Sequence, residues 1–316
     1  MASTNDTNQG QVPRFSLGRR RKGETTERLA HGLFLAAALV SVATTVGIVL
    51  TLFVQSVGFF SEISPWEFLT GTEWSPILKD ENGARHYGVL PLVAGTMLVA
   101  VIAAALAIPT GVGIAIFLSE YAPDRVRKVL KPAIEVHAGI PTVVYGYFAL
   151  TFVTPILRTI FPELIIFNAL SAGLVMGLMI VPMISSLSED AMVAVPRSLR
   201  QAAYALGATR FEVALRVVFP AALSGIVASF ILAISRAIGE TMLVTIAAGA
   251  TPRMTLNPFE SIQTMTAFIV QVSQGEAPRG SLEYNTLFAV GLLLFFMTLG
   301  MNVIGSIIVR RFRESY

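Results

Sequence analysis

The chain has 316 residues, 54% of them hydrophobic and 14% charged, with a mean hydropathy of +0.68. That is far more apolar surface than one water-soluble core needs, so a soluble enzyme is excluded and an integral membrane protein is indicated. The net charge of +3 and pI near 9.3 follow from Lys and Arg gathered in the tails and two loops, which calls for no nucleic-acid partner. Cysteine is absent, which removes disulfides, thiolate catalysis and Cys-ligated metals.

In chain order, residues 1–28 are polar, rich in Ser, Thr, Asn and Gln, and end in a basic cluster, the pattern of a disordered tail. The apolar stretch that follows, 30–57, is about twice the length of a signal-peptide core and is expected to stay as an anchor. Five more stretches lie at 89–118, 133–153, 169–187, 222–249 and 286–309, each with the roughly 20 apolar residues that a hydrocarbon core about 30 Å thick requires. Barrel strands would be about 10 residues long with alternating polarity. The expected fold class is therefore an all-α integral membrane protein with six transmembrane helices, and residues 29–313 form its membrane domain. Pro109 with Gly111 and Gly113, Pro141 with Gly146, and Pro182 are expected to bend the second, third and fourth spans. Gly173 and Gly177 form a GxxxG pair that permits close helix approach. Near the C-terminus, MTAFIVQVS (265–273) is too short to span, and lies in the interface or dips back into the membrane.

Lys and Arg assign the sides, since short loops rich in them stay cytoplasmic. The N-terminal tail, the stretch with Arg125, Arg127, Lys128 and Lys131, the stretch with Arg197, Arg200, Arg210 and Arg216, and the C-terminal Arg310, Arg311 and Arg313 hold most of them. Both termini are expected in the cytoplasm. The longest soluble piece is then 188–221, with no room for a catalytic domain. The chain has no GxxxxGK[ST] phosphate cradle, so any ATP hydrolysis belongs to another protein. His31, His86 and His137 lie in different segments without paired spacing, and no metal site or cofactor is expected.

Within 188–221, Pro196 and Ser198 offer a helix start, and Gly207 interrupts the helical pattern that follows. This predicts a sharp turn between two short helices lying along the membrane. Deeper in the chain, Arg236 stands inside the fifth span with Glu240 one turn further on. A charge at bilayer depth costs roughly 2.5–3.5 kcal/mol on insertion scales, so it lines a polar path or meets a partner. On a continuous helix the two would share a face, with Glu240 neutralising Arg236 until an anion takes over the guanidinium. Thr241 and Thr245 follow on the same path. The competing reading is a pair that only locks two helices together.

The stretch QAAYALGATRFEVALRVVFP resembles the signature loop of ABC importer permeases, with Gln201, Ala202, Ala203, Gly207 and Pro220 on its frame. Gln201 stands where that family usually has Glu, and Val217 and Phe219 replace its Ile and Leu. Six further segments, FLTGTEWSP, YGVLPLVAGTM, FLSEYAP, AGIPTVVYGYF, SRAIGETM and IQTMTAFIVQVSQGEAP, are similar to the phosphate-specific (PstC-type) permeases, over about residues 29–313. The resemblance implies a type I importer permease in the bacterial inner membrane, with Arg236, Glu240 and Thr241 on the translocation path and the Gly207 loop seated on an ATPase. It also implies the partners: a second similar permease chain, two copies of an ATP-binding subunit, and an extracytoplasmic phosphate-binding protein docking on 58–87 and 250–285. Inorganic phosphate is the implied substrate. The alternatives are sulfate, molybdate or phosphonate, or an ion-coupled secondary anion transporter.

Overall fold

The computed structural model describes residues 21–77 and 83–311. Most of the tail expected at 1–28 lies outside these residues, but helix α1 (Arg21–Phe60) already begins at Arg21, so residues 21–28 are helical. The chain divides into two units, Met1–Thr51 and Leu52–Tyr316. The first holds the greater part of α1, whose large apolar side chains from Leu29 to Ile48 are exposed.

In the second unit, α2 (Pro65–Thr70) and the two-residue strands β1 (Trp74–Ser75) and β2 (His86–Tyr87) come first, the strands paired antiparallel with Trp74 opposite Tyr87. Next come α3 (Leu90–Ile116), closed by a π-helical turn over Phe117–Tyr121, and α4 (Asp124–Ala138). Helix α5 (Thr142–Phe148) continues through a second π turn into α6 (Thr154–Ile160), and α7 (Ala169–Val193) follows. Then come α8 (Arg197–Ala205), α9 (Arg210–Val213), α10 (Phe219–Ala221), α11 (Leu223–Ile238), α12 (Met242–Ala247), α13 (Met265–Gln271) and α14 (Leu282–Arg311).

Among the described residues five helices are long and apolar enough to cross a membrane, and a pair bent by 71°, Arg210–Ala221 with Leu223–Ile238, makes a sixth when the pair is counted as one span. Two expected spans are corrected. The third runs Thr142–Ile160 rather than 133–153, because α4 ends at Ala138 and Gly139, and Pro141 has no N–H to continue a helix. The fifth is not one helix over 222–249: Gly239 caps α11 after Ile238, and α12 starts afresh at Met242. Pro109 and Pro182 lie inside the continuous helices α3 and α7, and α7 reaches Val193, so the first residues of 188–221 belong to a span.

Helix α7 is the most enclosed span, packed on α3, α4, α5, α11 and α12. Its contact with α3 depends on small residues. A Cβ on Gly173 would lie 2.7 Å from Cβ of Ile102, and one on Gly177 would lie 3.0 Å from the Ala103 carbonyl. In return, a Cβ on Gly111 of α3 would come 2.7 Å from Ile184 of α7. The GxxxG pair is thus the place where the two backbones meet. Around it Val99, Ala107, Val175, Met176, Ile180, Leu243 and Val244 form the core.

The opposite end from the basic loops is closed by edge-to-face aromatics: Phe59 with Phe68 and Tyr87, Phe68 with Trp74, and Trp74 with Phe268 at 4.9 Å. Phe268 lies on α13, the short apolar segment 265–273. This segment dips into the core, with Met265, Thr266, Ala267 and Phe268 buried. The Thr96 hydroxyl of α3 accepts from the Met265 N–H at 3.0 Å and fixes its entry.

Replacing Gly177 by Val should overpack the α3–α7 contact and cost about 1–3 kcal/mol. The expected result is a lower unfolding temperature in detergent with membrane insertion retained; an unchanged transition would remove this contact from the stability of the fold.

Candidate functional site

Arg236 occupies the last turn of α11, where a cation is favoured beside the unpaired carbonyls of the helix end by about 0.3–1 kcal/mol. Its side chain is exposed on the single chain, and among the described residues it makes no hydrogen bond or ion pair. The neighbouring Ser235 hydroxyl donates to Asn302 Oδ1 of α14 at 3.1 Å, which fixes this end of α11.

Glu240 lies beyond the break, so the shared helical face expected for Arg236 and Glu240 does not form, and the two are not ion-paired. Helical spacing does not persist across a capped end. Glu240 is 8% exposed, and its Oε1 accepts from the Leu243 N–H at 3.3 Å, capping the start of α12. The Glu240 carbonyl accepts from the Thr266 hydroxyl at 2.7 Å, so α13 holds the break from the other side. Thr241 is the N-cap residue of α12, its hydroxyl donating to the Gly239 carbonyl at 3.3 Å, while Thr245 bonds back to the Thr241 carbonyl at 2.7 Å. The site at the break therefore presents an unpartnered guanidinium and a buried carboxylate on two different elements.

The loop with Gln201, Ala202, Ala203 and Gly207 folds as the spacing predicts. Gly207 has φ +85°, between α8 and α9. The Ala208 N–H bonds to the Ala203 carbonyl at 3.1 Å and the Gly207 N–H to the Tyr204 carbonyl at 3.0 Å, the paired closure that a left-handed residue after a helix provides. Helix α9 then starts with a reciprocal cap: the Glu212 N–H donates to the Thr209 hydroxyl, and the Thr209 N–H to Glu212 Oε2 at 2.9 Å. Gln201 and Ala202 are exposed, Ala203 packs inward, Leu206 at the tip is 90% exposed, and Pro220 sits beside the 71° bend into α11.

Sequence reasoning counted the neighbouring charges only for topology and missed what they build. Glu189, fully buried near the end of α7, is ion-paired with Arg127 and with Lys131 of α4, the latter at 2.6 Å, and Lys131 also meets Asp190 at 2.7 Å. Burial alone would lower the Lys131 pKa; the hydrogen bonds to Asp190 and Glu189 outweigh it and hold the ammonium above its ordinary value. Arg200 of α8 pairs with Glu120, whose side chain is 5% exposed, at 3.1 Å. The signal in the sequence was a carboxylate inside an apolar run, MISSLSEDAMV for Glu189 and IAIFLSEYAP for Glu120.

The family described as "Binding-protein-dependent transport system inner membrane component" matches residues 107–314. The chain is 33% identical over 297 residues to the phosphate transport system permease protein PstC of Mesorhizobium japonicum, covering 88% of each. The chain belongs to this family and is of PstC type. It is also 37% identical over 281 residues to the probable ABC transporter permease protein YqgH of Bacillus subtilis, with 88% and 89% covered. Among solved structures, this permease shares its fold with a chain of a bacterial alginate ABC transporter in complex with an alginate pentasaccharide-bound periplasmic protein (TM-score 0.63, 15% identity, 93% and 98% covered). A chain of the inward-facing MetNI methionine ABC transporter matches with TM-score 0.54 at 18% identity, over 72% and 95%. The chain is thus a multi-pass inner-membrane permease with the fold of ABC importer permeases.

Arg236→Ala should leave stability within about 0.5 kcal/mol of wild type, because the side chain has no partner among the described residues. Glu240→Ala should cost about 1 kcal/mol through loss of the α12 cap. Thermal unfolding of the purified variants checks both; the reverse order would mean that Arg236 is structural.

Proposed function

We propose that this permease is one transmembrane half of an ATP-driven importer of inorganic phosphate, with Arg236 as its anion ligand. The observation that carries this is the unpartnered guanidinium at the break between α11 and α12, exposed on a face of the single chain. A guanidinium offers a fixed fork of donors to a tetrahedral oxyanion. Glu240 Oε1 is engaged by the Leu243 N–H, while Oε2 makes no hydrogen bond among the described residues. That second oxygen accepts from the P–OH of protonated phosphate, which a fully deprotonated sulfate cannot offer. Thr241, on the same connection, lines the path.

ABC importer permeases work with an ATPase and a substrate-binding protein, and ATP hydrolysis is the partner's chemistry. The specific complement belongs to the proposal: a second permease of PstA type completing the site across the interface, two PstB-type ATP-binding subunits, and a PstS-type phosphate-binding protein on the outer loops. The exposed Leu206 tip and Gly207 turn, with Gln201, Ala202 and Ala203 on α8, form the knob for the ATPase. Pro220 lies where the helix leaving that knob turns into α11, the helix that carries Arg236.

Radiolabelled phosphate uptake, with sulfate as control, in cells lacking the gene and complemented with wild type or Arg236→Ala tests the assignment. Rescue by wild type alone, phosphate-selective and with the variant present in the membrane, is the expected outcome. Rescue by both removes Arg236 from the path, and sulfate rather than phosphate uptake moves the substrate to that relative. Gly207→Val forces a β-branched residue to φ +85°, a strain of roughly 1–2 kcal/mol, and should leave the protein inserted with ATP hydrolysis disconnected from uptake. Intact uptake in that variant would sink the assignment of the knob.

A further inference from the structure

Beside the apolar packing of Leu199 and Ala203, one side chain makes the polar tie between helix α8 and the ends of α3 and α7. Arg200 Nη1 donates to the Val195 carbonyl at 2.6 Å, and Nη2 donates to the Met192 carbonyl at 2.7 Å. Nε and Nη2 both donate to Glu120 Oε1, at 3.2 and 3.1 Å. Met192 stands in the last turn of α7 and Val195 two residues past its end; the Met192 carbonyl also accepts from the Val195 N–H at 3.2 Å, so the guanidinium adds a second donor where the helix ladder runs out. Glu120 stands in the π turn that ends α3, where the Ala122 N–H reaches back to the Phe117 carbonyl at 2.8 Å. One planar fork thus closes three elements at once, which the three donors of a Lys ammonium on a flexible stem do not reproduce. Among the described residues no other α8 side chain is hydrogen-bonded to α3 or α7.

From the α7 end the packing continues to α11. A Cβ on Gly225 would lie 2.4 Å from the Ala191 Cβ, so the two helices touch through small residues there. Three residues earlier on α7, the Ser188 and Ser229 hydroxyls share a buried hydrogen bond of 2.8 Å. Arg236 lies in the last turn of α11.

The geometry points to Arg200 as the positioning residue that delivers displacement of α8 to the ends of α3 and α7, and through α7 to the helix bearing Arg236. This rests on the importer reading above and adds to it the route inside the chain. Arg200 touches neither substrate nor nucleotide; it acts by holding two helix ends to the element that moves.

The test is the assembled transporter in proteoliposomes, with ATP hydrolysis and phosphate uptake measured on the same preparation for wild type, Arg200→Ala, Arg200→Lys and Glu120→Ala. Loss of charge-assisted hydrogen bonds should lower uptake about tenfold or more in Arg200→Ala while hydrolysis stays near the wild-type rate. Arg200→Lys should fall between, because it keeps the charge and loses the fork. Glu120→Ala should also lower the ratio of uptake to hydrolysis, since α3 is released while α7 stays held. A parallel fall of both rates in an assembled complex, or no change in either, overturns the proposal. If Arg200→Ala does not assemble, the ratio in Glu120→Ala decides in the same two directions. A wild-type complex that hydrolyses ATP and takes up no phosphate overturns the importer reading itself, whatever the variants do.

Discussion

Close approach of α7 to α3 is the constraint on which the second unit depends. Gly173 and Gly177 bring the backbone of α7 against Ile102, Leu106 and the Ala103 carbonyl, and Gly111 admits Ile184 from the other side. Lipid supplies no hydrophobic drive between two apolar helices, so packing quality has to hold them. With that pair set, α7 presents its remaining faces to α4, α5, α11 and α12, and the break at Gly239 falls where α12 and α13 can close it. Arg236 and Glu240 owe their separate placements to that break.

The basic end is held by a different force. Glu189 is wholly buried, yet it sits between Arg127 and Lys131, and Glu120 is nearly buried against Arg200. Buried carboxylates are costly unless paired, and removing one partner leaves an uncompensated buried charge. Helices α4 and α8 are thus joined by charge to one end of α7 and α3, and those two helices are held to each other along their length by close packing. The other end is held by aromatic rings around Trp74 and Phe268, which need neither charge nor fixed donors.

The all-α class, the span count and the Gly207 turn were legible because each rests on a local signal: an apolar run of membrane length, or a glycine where the chain must go left-handed. The GxxxG pair was visible too, but its partner helix was not, since Ile102 and Leu106 lie some seventy residues away. The ends of the third and fifth spans were misplaced because average hydropathy does not register a cap: Gly139 and Gly239 sit inside stretches apolar enough on average to read as one span and still stop their helices. Arg236 stood out as a charge among apolar residues, but its relation to Glu240 was inferred from a helix that is not continuous. The Glu189 and Glu120 clusters were hidden by distance in sequence, as each joins groups roughly sixty to eighty positions apart.

The long apolar part of helix α1 has a further consequence. Its span Thr26–Phe60 holds 35 residues, none of its most apolar window buried in the chain. At about 1.5 Å per residue it measures roughly 50 Å, well beyond a hydrocarbon layer about 30 Å thick. A rod of that length tilts or draws a thicker bilayer around itself, at a modest cost for each ångström of mismatch. Bilayer thickness is therefore a variable to which α1 answers directly, whereas the glycine-packed helices of the second unit are set chiefly by one another.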